Sequence, residues 1–326
     1  MLRSCAVSRR CGPERAAVLR EPGREVLGAV QQNERRFKSR LFQRRHSGAG
    51  DSPGLRHTLT APFSQDFGVT CRSYSALTLF SLGYPDRALE RSREAVKLAR
   101  DLKQPFSLGF ALYIGSFLHK YRREPEAMLV TPRRGSRSAK SRTWRYGWVE
   151  RRRKRWALVE LGHLEEGVSE IRRGLNAWLA TGAEVAKPYY LALLTDAELR
   201  IGRCADGLRR LDECLAVIER LSDRFCEVEL HRLKGELILH QHSGAKRCNK
   251  AEAEAEASCQ RAPQVARDQS AKSWELRAAM SFVRLLQKQD RREEAEAVLA
   301  PTYEWFTEGL DTRDLSEERA LLKILH

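Results

Sequence analysis

Residues 79–96 read LFSLGYPDRALERSREAV, and the phrase returns over 159–175 as VELGHLEEGVSEIRRGL and over 199–215 as LRIGRCADGLRRLDECL. In each copy a pair (Leu82-Gly83, Leu161-Gly162, Ile201-Gly202) is followed five residues on by a small residue, Ala88, Gly167 or Gly207. Seven residues further stands a second small one, Ala95, Gly174 or Cys214. Weaker copies place small residues at Ala127, at Ala255 with Ala262, and at Ala295. Positions 88, 127, 167, 207, 255 and 295 are separated by 39, 40, 40, 48 and 40 residues. The long interval holds HSGAKRCN, a polar stretch with the composition of a loop insertion.

Helix packed on helix explains this pattern. A Gly that ends the first helix adopts positive φ at no Cβ cost, and small residues on one face of the second let the backbones approach. Apolar spacing between the anchors is helical: Leu191, Leu194, Leu199 and Ile201 before one turn, Leu208, Leu211, Leu215 and Ile218 after it. Each unit reads as a helical hairpin. None buries its apolar face alone, so the fold expected is all-α, with the hairpins stacked into an α-solenoid.

The pattern resembles tetratricopeptide repeats, slightly lengthened. At phrase level, LGYPDRALERSREAVKLARDLKQPFSLGFAL, WALVELGHLEEGVSEIRRGL, LHRLKGELIL, SAKSWELRAAMSFVRLLQ and YEWFTEGLDTRDLSEERALL resemble the C-terminal repeat region of bacterial multidomain signalling ATPases and class III adenylate cyclases. That resemblance runs from about Ser64 to His326 and implies a right-handed superhelix of about six hairpins. It also implies a non-catalytic scaffold for a protein partner or an effector, of the kind that passes its state to an attached ATPase, cyclase or DNA-binding domain. The catalytic parts are not expected here: the sequence has no G-x-x-x-x-G-K-[ST], and the stretch before residue 64 is too short for a cyclase or ATPase domain.

Charge divides the chain differently from the repeats. Of a net +16, residues 1–60 carry 13 Arg or Lys against 5 Asp or Glu, and residues 133–155 carry 11 against Glu150 alone. The expected organisation is a basic, disordered 1–63, two repeats over 64–132, an aberrant or disordered Arg-rich segment over 133–155, and the remaining repeats with an end cap over 156–326. Where the repeat requires a small residue, seven after Ala127, the chain has Arg134. Arg151, Arg152, Arg153, Lys154 and Arg155 put like charge on every face of a would-be helix. A segment that keeps the forty-residue spacing while losing the pattern has the form of a reading-frame excursion. In a solenoid such damage uncouples the two ends, leaving 156–326 as the stable block. Two alternatives accompany the scaffold reading. One is polyanion or nucleic-acid binding through 1–60 and 133–155, where Trp144, Tyr146, Trp148 and Trp156 interleave with arginine. The other is a gene fragment without a function of its own. Arg9 and Arg10 occupy the place of a signal peptide's apolar stretch, and no apolar run reaches the eighteen or so residues of a membrane span, so the expected location is cytoplasmic.

Tetratricopeptide arrays bind on the concave face, lined by the first helix of each hairpin. Taking each turn as a register mark places Tyr189, Ala192, Asp196 and Leu199 on that face, then Glu229, Arg232, Glu236 and Leu239, then Arg277, Met280, Arg284 and Gln287. Arginines at 232, 277 and 284 suit bidentate capture of a carboxylate or phosphate; the competing expectation is that they are ion-paired with Asp196, Glu229 and Glu236 in a solvated groove. Trp178, Trp274, Trp305 and Phe306 read as core and end-cap packing. Eight cysteines without a C-x-x-C pair read as reduced thiols, and His240, His242, Cys248 and Cys259 fit no zinc spacing. No cofactor motif and no Ser/His/Asp or Cys/His constellation is present, so no enzymatic activity is expected.

Overall fold

The computed structural model describes residues 66–129, 155–180, 187–203, 206–221, 224–242 and 249–325. The expectations for 1–63, for 133–154 and for the Trp178 side chain therefore lie outside the described residues. Among those described, all regular structure is helical. The helices are α1 (Phe67–Ser81), α2 (Pro85–Asp101), α3 (Pro105–Tyr121), α4 (Pro125–Leu129), α5 (155–160), α6 (Leu164–Leu179) and α7 (Lys187–Arg200). They continue as α8 (Gly207–Leu221), α9 (Glu227–Gln241), α10 (Asn249–Asp268), α11 (Lys272–Lys288), α12 (Arg292–Glu304) and α13 (Arg313–Leu325). No helix among the described residues is long and apolar enough to cross a membrane.

One turn recurs throughout. Gly83 has φ 88° and donates to the Phe80 carbonyl while Tyr84 donates to that of Leu79. Equivalent bond pairs close the turns at Arg123, Gly162, Gly202 and Asp290, all with positive φ. These are Schellman turns, in which the last orphan carbonyls of a helix are satisfied as the chain reverses. Lys103 and Ser270 close the intervening reversals in the same way. Short reversals make consecutive helices neighbours, and odd-numbered helices also meet one another, α1 with α3, α7 with α9, α9 with α11 and α11 with α13.

Small residues sit where helices approach. On α2 the buried stripe is Pro85, Ala88, Ser92, Ala95 and Ala99, and Ala255, Ala262 and Ala295 are fully buried on α10 and α12. A Cβ added to Gly167 would lie 2.5 Å from Val159 Cγ2, and one added to Gly207 would lie 2.8 Å from Leu237 Cδ1. Cys214 is likewise buried on α8. Ala127 is half-buried on the short α4. Arg155 departs from the expectation for the Arg-rich segment. It opens α5 as a buried residue, with its guanidinium in the space that Gly174 leaves, 1.8 Å from where a Cβ would stand.

The end-to-end relation also differs from the expected uncoupling. One apolar cluster holds residues of both blocks: Ala76, Leu79 and Phe80 of α1, Leu118 and Tyr121 of α3, and Val265, Trp274 and Ala278 of α10 and α11. Phe80 and Tyr121 stack at 5.8 Å, and Trp274 meets their edges at 6.4 Å and 5.0 Å. Ser273 Oγ donates to the Phe80 carbonyl at 2.5 Å. Tyr84, the residue before α2, makes no capping hydrogen bond with its side chain. The Glu308 carboxylate does that work, accepting from Asp86 N and Arg87 N at 3.1 Å and pairing with Arg87 Nε at 2.7 Å, an anion at a helix N-terminus. Asp86 in turn accepts from Gly309 N at 2.8 Å. Apolar burial with reciprocal capping joins the blocks across about 220 residues of sequence.

A candidate binding cleft between the odd-numbered helices

Helical spacing aims several side chains of each odd-numbered helix at a common space. On α7 these are Tyr189, Ala192, Asp196 and Leu199, and on α9 they are Glu229, Arg232 and Glu236. From α11 come Arg277, Met280 and Arg284, so seven of the eight charged or polar candidates line one cleft of about 280 Å³. Gln287, one turn beyond Arg284, is half-buried and is not in the lining. Leu239 packs into the apolar cluster of α11–α13 instead. Eight further residues come from places the register did not name: Lys120 and Tyr121 ending α3, Trp156 and Glu160 on α5, and Asp314 with Glu317 on α13 beside Arg123 and Phe225.

The three arginines have separate partners. Arg232 forks onto Glu229 at 2.9 Å and 2.7 Å, reaches Glu236 at 2.6 Å, and stands 3.7 Å from Asp196. Arg277 pairs instead with Asp314 at 2.5 Å and donates to the Tyr121 carbonyl at 2.8 Å, while Arg284 lies 3.3 Å from Glu317. Arg123 bridges Asp314 and Glu317 at 3.0 Å and 2.9 Å. Arg200 joins Glu160 at 2.6 Å to Asp196 at 3.2 Å. The ion-paired reading thus describes Arg232, whereas the partners of Arg277 and Arg284 come from the helix that the sequence presents as an end cap.

Burial and charge act against each other here. Burial pushes the Glu229 carboxyl up, but Arg232, with Arg277 and Lys120 behind it, holds it down to about 2. For Asp196 burial wins: Arg200 and Arg232 oppose it, the nearby Glu229 and Glu236 reinforce it, and the carboxyl lies above its ordinary value. Burial alone would lower Arg232, yet Glu229, Glu236 and Asp196 raise it well above the usual guanidinium value.

Aromatic rings cover one end of the cleft. Tyr121, Phe225 and Trp274 lie within 6.3 Å of each other, centroid to centroid. Lys120 Nζ sits 4.4 Å above the Tyr189 ring and the Arg277 guanidinium 5.2 Å above Trp274, both within cation–π range. Trp274 therefore packs between the blocks and also faces the cleft; Trp305 packs on Tyr84, and Phe306 joins the α11–α13 cluster.

Behind the cleft, one turn beyond Asp314, Glu318 is fully buried and neither of its carboxyl oxygens has a hydrogen-bond partner among the described residues. Burial, with the Asp314 charge added, pushes its carboxyl up to about 9. A carboxyl raised above the 4.5 of its reference state costs stability as pH rises from 4.5 toward about 9. Replacing it by Met should stabilise the protein by about 1–3 kcal/mol near pH 8 and remove this slope. Urea denaturation at several pH values checks both; equal stability of Glu318→Met and wild type at pH 8 would contradict the burial described.

Burial pushes the Cys214 and Cys259 thiols up to about 12, so neither supplies a thiolate at neutral pH. His240 and His242 are exposed. Among the described residues no three His, Cys, Asp or Glu side chains are grouped to hold a metal ion; Asp196, Glu229 and Glu236 fan around a guanidinium instead. Cys226 lines the cleft beside Phe225. In comparisons with known proteins, no protein-family model matches the chain and no curated protein matches it.

Proposed function

We propose that the chain is a tetratricopeptide-type α-solenoid, a non-catalytic cytoplasmic scaffold that takes a protein partner or effector into the cleft between its odd-numbered helices. In this reading it acts like the regulatory arm of the bacterial signalling ATPases and adenylate cyclases that its phrases resemble. The observation that carries it is convergence: α3, α5, α7, α9, α11 and α13 all send charged or aromatic side chains into one cleft. Forty-residue turn spacing and contacts between alternate helices support the repeat architecture. Spending this many partly buried charges on one surface is costly for a structure that binds nothing there.

Panning a library of random peptides of about twelve residues against the full chain tests the reading. Enriched peptides should change the fluorescence of Trp156 and Trp274, which line the cleft. They should also lose about tenfold in affinity, roughly 1.4 kcal/mol, against Arg284→Glu, a substitution at a half-exposed side chain. Binders indifferent to that charge reversal and silent in fluorescence would move the interaction elsewhere.

A further inference from the structure

The charges that line the cleft are balanced in number and unevenly shared among its helices, with contacts between the two sets at Arg313 and Glu160, 3.6 Å apart. On α5, α7 and α9 there are four carboxylates, Glu160, Asp196, Glu229 and Glu236, to two guanidiniums, Arg200 and Arg232. On α3 and its closing turn, α11 and α13 the proportion in the lining reverses: Lys120, Arg123, Arg277 and Arg284 to Asp314 and Glu317. One wall thus has an excess of negative charge and the other an excess of positive charge, with the Tyr121, Phe225 and Trp274 rings at one end. Each excess has a loosely held member. Asp196 has its nearest guanidinium nitrogens at 3.2 Å and 3.7 Å, whereas Glu229 and Glu236 have theirs at 2.7 Å and 2.6 Å. On α11, Arg284 has among the described residues one carboxylate, Glu317, at 3.3 Å and a side chain 47% exposed, leaving guanidinium donors available. At about 280 Å³ the space is at the lower limit of ligand pockets, too small for a helix and sufficient for one or two residues.

We propose that the cleft recognises a zwitterion, an ammonium placed at Asp196 and a carboxylate placed at Arg284, joined by a short apolar body. This rests on the scaffold reading and names the chemistry that the same site would take. A single charge satisfies one wall and adds to the excess on neither; a zwitterion satisfies both and leaves the net charge of the cleft unchanged. Electrostatic complementarity of this kind selects by rejecting the wrong pattern as well as by attracting the right one. The same chemistry is offered by a free ω-amino acid and by a peptide segment carrying a lysine and a glutamate.

Calorimetric titration of the full chain with ω-amino acids from glycine to 8-aminooctanoate, alongside hexylamine and hexanoate, is the test. One member of the series should bind at least about tenfold tighter than either singly charged compound. Asp196→Asn and Arg284→Gln should each remove about that tenfold for the zwitterion, and Arg284→Gln should leave hexylamine unaffected. Thermal unfolding of both variants checks the fold, and Arg284, half-exposed, is the safer of the two. A further arm uses the end-capped peptide Lys-Ala-Ala-Glu. Tighter binding of this peptide than of any ω-amino acid, with the same loss on Arg284→Gln, assigns the zwitterion to a partner's chain and supports the charge pattern. The proposal fails if no zwitterion in either arm exceeds the singly charged compounds, or if both variants leave zwitterion affinity unchanged. Cleft-dependent binding of the panned peptides would then still uphold the scaffold reading alone.

Discussion

Arg232→Met should destabilise the protein by about 3–5 kcal/mol at neutral pH, the range for removing one partner of a buried ion-paired network. The side chain is 10% exposed and is the shared partner of Glu229, Glu236 and Asp196. Met fills comparable space, so the loss comes from three carboxylates left with too little positive charge rather than from a cavity. The pH dependence separates these causes. In wild type, Glu229 sits near 2 against a reference of 4.5, so its contribution is complete above 4.5 and disappears as pH falls toward 2. In the variant Asp196, whose carboxyl already lies above its ordinary value, and Glu229 both lose the Arg232 charge that opposes their burial, and protonation relieves them as pH falls. Both effects narrow the gap between wild type and variant on acidification. Urea denaturation at about pH 7.5 and pH 3 should show the difference shrinking by half or more; a difference that ignores pH would mean that packing dominates at Arg232. Arg232→Lys should fall between the two, since an ammonium keeps the charge and loses the fork.

Trp274→Ala should cost about 3–5 kcal/mol, the usual range for deleting a buried large aromatic. Its more informative effect is spatial. Trp274 is 8% exposed and touches both Phe80 and Tyr121, so its loss weakens the seat of α1–α3 on α11. Hydrogen exchange followed by mass spectrometry should lose protection over 67–121 as well as around the mutated helix. Exchange altered only within 272–288 would mean that the two blocks stand independently, which the shared core of Ala76, Leu79, Val265 and Ala278 argues against.

Local pattern made much of this legible. The Gly83, Gly162 and Gly202 turns were visible because positive φ favours Gly, and the same register carried the candidate face of α7, α9 and α11. Applied without change to the turn at Arg123, it falls on Lys120, three residues before; applied to Gly162, it falls on Trp156, six before. Both line the cleft, and what concealed them was chemistry: Arg123 closes its turn without a glycine, and Trp156 adjoins the Arg-rich segment. Asp314 and Glu317 were less accessible, because α13 follows the longer reversal around Gly309 rather than a turn of the repeated kind. Docking of the two blocks left no local trace at all. Glu308 resembles any exposed acid until the fold brings the N-terminus of α2 to it.

That last contact has a consequence for how the chain is made. Asp86 is synthesised 222 residues before Glu308, which at ordinary elongation rates of 5–20 residues per second is roughly 10–40 s. Through that interval α2 lacks its cap and the rings of Phe80 and Tyr121 lack Trp274, so the first hairpins emerge from the ribosome with these rings uncovered. Closing so long a loop carries an entropic cost of about 5 kcal/mol, and contacts of such sequence separation slow folding. The interval before the C-terminal helices arrive is accordingly when a chaperone, or a second nascent chain, has its best access to this protein.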